Sequence, residues 1–142
     1  KRQMLYLAYG SNLHRGQMKF RCPLAKPLGK ILVPDFRLVF RGVADIEEYK
    51  GASCPMGLWE ISDACEKALD IYEGFPHLYR KLYFDIDGKV ALTYTMNTNR
   101  IASPSRDYFN TIARGYEDFS LDQKFLYDAR TDANKQSSYN MF

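Results

Sequence analysis

Cysteine, histidine and tryptophan are scarce in this chain: 142 residues hold three, two and one of them. Cys22, Cys54 and Cys65 are odd in number, lie far apart and form no C-x-x-C pair, and neither His14 nor His77 joins them in a ligand cluster. That pattern argues against a disulfide framework and against a structural zinc site. It reads instead as reduced, small core thiols in a cytoplasmic protein. Charge of one sign is lacking too. Twenty basic and 17 acidic residues leave a net +3 with no long basic stripe, which excludes a nucleic-acid partner as the expectation. No long hydrophobic run occurs. The apolar stretch from Met4 spans roughly six residues before turning polar, too short for a signal-peptide core or a membrane span, so a soluble chain with no membrane association is expected.

What is abundant is apolar and aromatic surface. The chain is 46% hydrophobic and 15% aromatic, with 11 tyrosines, enough for one globular domain with a real core. A buried tyrosine needs a partner for its hydroxyl, so this core has unusual polar capacity. Residues 1–130 are expected to form the domain and the polar segment 131–142 a loosely held tail.

Pattern and punctuation give a strand over 4–9, a short helix over 14–19, and strands over 30–33 and 36–40 broken by Pro34-Asp35. A short strand over 42–46, a polar loop over 47–51 and a strand over 56–61 follow. The clearest helix runs from Asp63 to about Tyr72, with Asp63 and Glu66 spaced as a capping box and Gly74 and Pro76 as its stop. Strands over 80–85 and 89–97 form a hairpin. A three-residue turn, Ile86-Asp87-Gly88, pairs Phe84 with Val90 and is preferred over a two-residue Asp87-Gly88 turn, which pairs Phe84 with Ala91. Ser103-Pro104 starts a helix with Tyr108, Phe109, Ile112, Ala113 and Tyr116 as its buried stripe, and Ser120 with Gln123 caps a last one. The fold class is α+β.

Two elements carry chemistry. Tyr9-Gly10-Ser11-Asn12-Leu13 takes a strand into a turn whose backbone N–H groups can converge on an anion. Sixty residues on, Glu73 sits at the C-terminal end of its helix, where the macrodipole disfavours a carboxylate by up to about 1 kcal/mol. Flanking Tyr72 and Phe75 would desolvate it and push its pKa toward neutrality, where a glutamate both takes and returns a proton. Ser11 lacks a G-x-S-x-G setting and a motif-placed base, and reads as a loop donor rather than a nucleophile.

Together these elements resemble the γ-glutamylcyclotransferase family (AIG2-like superfamily). The resemblance covers about 120 residues in order: Tyr9 to Leu13, Arg21-Cys22-Pro23, Asp35 to Phe40, Gly57 to Ile61, Leu69 to Gly74, Tyr79-Arg80, Tyr94, Pro104 to Tyr108 and Gly115. It implies a small mixed β-barrel with flanking helices, and cyclisation of a γ-glutamyl group to 5-oxoproline with release of an amine. No cofactor and no metal are implied; the partner is a small γ-glutamyl compound. Glu73 would be the general acid/base. Tyr9, Gly10, Ser11, Asn12 and Leu13 would hold the substrate's α-carboxylate, and Tyr94 and Tyr108 would turn hydroxyls toward the carboxylate or substrate. Tyr116 and Asp122 depart from the family pattern, and bulk at Tyr116 would narrow a pocket wall or pack in the core. The competing reading is a binding module that keeps the barrel and the anion loop but does no chemistry.

Overall fold

The computed structural model describes residues 3–140. Its strands are β1 (Gln3–Ala8), β2 (Lys26–Arg41), β3 (Val43–Ser62), β4 (Tyr79–Ile86) and β5 (Lys89–Met96). Its helices are α1 (Arg15–Arg21), α2 (Asp63–Glu73), α3 (Arg106–Asp118) and α4 (Gln123–Asn140). A 3₁₀ turn, Ser11–Leu13, links β1 to α1. The five strands form one sheet in the order β2-β3-β1-β5-β4. All neighbours are antiparallel except β1 and β5, whose parallel register sets Leu5 against Ala91 and Tyr6 against Leu92.

The α+β class is the one expected, but the sheet does not close as a barrel. β2 and β4 remain its edges, and they meet through side chains: the Phe36 and Phe84 rings pack edge to face at 5.0 Å. β2 and β3 are single long strands where the sequence suggested fragments. Pro34 and Asp35 form a bulge in β2, with Asp35 at φ 62 and its carboxylate accepting from Gly51 N–H at 3.0 Å. An edge strand tolerates the N–H that proline lacks, so the dipeptide bends the strand instead of ending it. The stretch 47–51 is strand as well, because Glu47 lies opposite Arg37 and binds both Arg37 and Arg41.

The β4–β5 hairpin uses the two-residue turn. Asp87 and Gly88 both take positive φ, 51 and 83, and Phe84 pairs with Ala91. A turn left-handed at both central residues matches strand twist, and aspartate accepts that conformation. β5 is buried from Ala91 through Thr95, on both faces, so its alternation carried no register information.

Helix caps sit one or two residues from their expected places. Ser62, not Asp63, caps α2 through Cys65 N–H; Ser105, not Ser103, caps α3 through Tyr108 N–H. Asp122, not Ser120, accepts from Lys124 N–H at the start of α4. That helix runs on through the segment expected as a tail, with Ala133 buried and Ser103 bonded to Asn134 and Ser137; residues 141–142 lie outside the described residues.

Cys22 and Cys65 form a disulfide joining the end of α1 to the first turn of α2, contrary to the expected reduced thiols; Cys54 is free and buried. The inference from reduced thiols to a cytoplasmic location thereby loses its premise. Among the described residues no helix is long and apolar enough to cross a membrane, and no histidine, cysteine or carboxylate cluster could hold a metal ion.

Candidate active site

The turn after β1 is held from below. Leu13 is fully buried and its N–H donates to Gly10 carbonyl at 3.0 Å, while Trp59 Nε1 donates to the Asn12 carbonyl at 3.1 Å. α3 presses on it through Gly115, where an added Cβ would lie 2.4 Å from Leu13 Cβ. Leu13 is therefore an anchor and does not line the cavity above the turn. The N–H groups of Ser11 and Asn12 have no acceptor among the described residues, as expected for the first donors of a helical turn. Side chains fix its rim. Asn12 donates to Tyr6 Oη at 3.0 Å and accepts from Arg21 at 2.8 Å, and the Ser11 and Tyr72 hydroxyls are hydrogen-bonded at 3.0 Å.

α2 ends where Gly74 takes a left-handed conformation at φ 70, its N–H and that of Phe75 closing on Asp70 and Ile71 carbonyls. This stop leaves Glu73 as the last helical residue, with no basic residue in its turn. Its carboxylate enters a small cavity of about 30 Å³ together with Gly10, Ser11 and Asn12. Tyr6, Tyr9, Tyr79, Tyr94 and Tyr108 make up the aromatic wall. Burial raises the Glu73 pKa to about 7, with the Arg21 charge acting the other way. The desolvating neighbours are not those adjacent in sequence. Tyr72 turns its ring under the Arg21 guanidinium at 3.5 Å, and Phe75 sits beneath Lys81 Nζ at 4.4 Å.

The tyrosines divide by what their hydroxyls do. Tyr9 donates to the Tyr94 carbonyl at 2.5 Å, and Tyr79 donates to the Ala44 carbonyl at 3.2 Å. Tyr94, expected to offer its hydroxyl to Glu73 or substrate, instead donates to Asp70 at 2.5 Å and contributes its ring. Tyr108 differs: its oxygen accepts from Ala44 N–H at 2.9 Å, which leaves its own proton for a group in the cavity. Burial raises the pKa of Tyr6, Tyr79 and Tyr108 well above the ordinary range, so all three stay protonated. Tyr116 is fully buried and lies outside the cavity, so it packs rather than narrows; Asp122 is at a different cleft, beside Leu121.

Tyr6, Tyr79 and Arg21 also belong to the site or its rim. Tyr6 lies in a strand whose facing was the missing information. Tyr79 and Arg21 carried a signal, since they stand in the Tyr79-Arg80 and Arg21-Cys22-Pro23 matches. Other openings lack this chemistry. One of about 590 Å³ lies over Met4, Leu28, Tyr83 and Val90, away from the turn and Glu73.

No family model matches the chain, and no curated protein does. Solved structures do. An uncharacterized protein from Homo sapiens superposes with a TM-score of 0.80 at 24% identity, over 92% of this chain and 88% of that one. A gamma-glutamyl cyclotransferase gives 0.78 at 22% identity, over 91% and 87%. An AIG2-like protein from Mus musculus gives 0.59 at 17% identity, over 76% and 83%. At such identities the likeness speaks to architecture, and the chain has the γ-glutamylcyclotransferase-like fold.

Proposed function

We propose that the protein is an enzyme that cyclises the γ-glutamyl group of an amine or peptide to 5-oxoproline and releases the amine. One observation carries the proposal: a carboxyl group raised to about 7 shares a tyrosine-walled cavity with a turn whose N–H groups await an anion. The substrate's α-carboxylate would take the Ser11 and Asn12 N–H groups, which brings its α-nitrogen toward Glu73. Glu73 accepts a proton from the α-ammonium, and the freed amine attacks the γ-carbonyl carbon. The ring C–N bond forms and the carbonyl oxygen gains negative charge, which the Tyr108 hydroxyl is free to meet. Collapse breaks the bond to the leaving nitrogen. Two protons leave the α-nitrogen in all, and Glu73 relays them one at a time to the departing amine, which leaves as an ammonium ion. The reaction is redox-neutral, and ring closure gains from holding nitrogen and carbonyl together.

The test is mass-spectrometric detection of 5-oxoproline after incubation with glutathione, γ-glutamyl dipeptides and γ-glutamyl-lysine, beside Glu73→Gln. Product that disappears in the variant supports the enzyme. A folded protein that forms none from any of them leaves the binding module as the better reading.

A further inference from the structure

The cavity at Glu73, about 30 Å³, has room for little more than one water, so it cannot take a whole γ-glutamyl compound as it stands. A second opening lies on the far side of its rim. This cleft of about 490 Å³ is lined by His14, Gly16, Gln17, Phe20, Arg21 and Tyr72, a volume in the range of small-molecule sites. Tyr72 separates the two. Its hydroxyl is bonded to Ser11, which lines the inner cavity, while its ring lines the outer cleft. Turning this one half-exposed side chain outward would break its hydrogen bond to Ser11 and its stacking on the Arg21 guanidinium, and would open a way between the two spaces.

The outer cleft has its own chemistry. Phe20 is 90% exposed and Tyr72 45%, two large aromatics around one opening, the Tyr72 ring stacked on the Arg21 guanidinium at 3.5 Å. Scattered exposed apolar residues are ordinary, but a pair bordering a cleft beside a candidate site is a binding feature. Arg21 lines the same cleft. Asn12 and Gln17 take one hydrogen bond each from its guanidinium, and among the described residues it has no carboxylate partner. Its remaining donors suit an incoming carboxylate.

We infer, resting on the cyclotransferase reading, that this cleft takes the leaving-amine half of the substrate, and that its preferred occupant is an aromatic α-amino acid. The ring would lie against Phe20 and Tyr72 and the carboxylate would pair with Arg21, the linked nitrogen reaching inward past Tyr72. A leaving group that ends in a cation meets the like charge of Arg21.

The experiment measures kcat/KM by 5-oxoproline release for γ-glutamyl-phenylalanine, γ-glutamyl-alanine and γ-glutamyl-phenethylamine, which lacks the carboxylate. Wild type, Phe20→Ser and Arg21→Gln are compared, each checked for folding by circular dichroism. The expected result is a preference of at least about tenfold for phenylalanine over alanine, as burial of an aromatic ring should yield. That ratio should fall toward one in Phe20→Ser, and the phenylalanine-to-phenethylamine ratio should fall toward one in Arg21→Gln. Equal values for phenylalanine and alanine, or ratios that the variants leave unmoved, overturn this inference while the cyclotransferase stands. Absence of 5-oxoproline from all three substrates, with product from glutathione or γ-glutamyl-lysine, overturns this inference alone; absence from those two as well overturns both.

Discussion

Asp45 and Glu73 are two acids near one cluster of tyrosines, and the protein treats them in opposite ways. Asp45 is 1% exposed and surrounded by donors. Arg41 Nε lies 2.6 Å from one oxygen, and Thr95 Oγ1 and Met96 N–H lie 2.8 and 3.0 Å from the other. Glu73 has no hydrogen-bond partner among the described residues, and its nearest influence of opposite sign is Arg21, itself engaged by Asn12 and Gln17. Even Asp70, one turn earlier on α2, is held by Lys81 and the Tyr94 hydroxyl. A carboxylate saturated with donors is a structural ion. A carboxylate buried without them is costly to ionise and therefore able to exchange a proton near neutrality.

The sharpest way to break this contrast is Glu73→Gln, which should lower 5-oxoproline formation by about 10²–10⁴-fold, the usual worth of a general acid–base, read by mass spectrometry. Its stability should move the other way. The folded pKa of about 7 is above the unfolded value, so ionising Glu73 costs folding free energy that is absent below about pH 4 and fully present above pH 7. Wild-type stability should fall across that window, and at pH 8 the glutamine variant should be more stable by up to about 3 kcal/mol in urea denaturation. A variant that loses both activity and stability would mark Glu73 as structural.

Asp45→Asn tests the other acid. Arg41, with only 5% of its side chain exposed, would lose its buried partner, and about 3–5 kcal/mol of stability should go with it. Denaturant unfolding reads this directly; a change under about 1 kcal/mol would mean that water or Glu47 replaces the ion pair. Gly115→Ala should cost about 1–3 kcal/mol, because the new methyl group meets Leu13 and α3 must back away from the turn. Its KM should rise as the Ser11–Leu13 turn shifts. The smallest effect concerns pH. The acidic limb of kcat/KM should have an apparent pKa near 7, and Arg21→Gln should move it upward, because the guanidinium now holds Glu73 down. A limb that moves downward would contradict that sign.

Local features were legible in the order of residues. Gly74 after Glu73 stops α2, and Gly10-Ser11-Asn12 ends β1 in a turn, because both depend on backbone preferences of adjacent residues. Misjudgements fell where a partner comes from elsewhere. Leu13 looked like part of the anion loop, yet its role is decided by Gly57 and Gly115 packing around it. Pro34 looked like a strand break because nothing local says that β2 is an edge. Tyr94 lines the cavity as expected of a pocket tyrosine, but no pattern announces that Asp70 will claim its hydroxyl. Cys22 and Cys65, 43 residues apart, meet only because α1 and α2 pack side by side.

By itself the sequence determined the α+β make-up, the position of a carboxylate at a helix end, and the turn that could face an anion. Each follows from short-range backbone conformation, which neighbouring residues dictate. Tertiary structure decided which acid stays unpaired, which tyrosine keeps a proton to give, and that the sheet curls without closing. Those outcomes depend on which groups are brought within a few ångströms across the sheet. Electrostatic and hydrogen-bond energies are set at that distance, however far apart the residues stand along the chain.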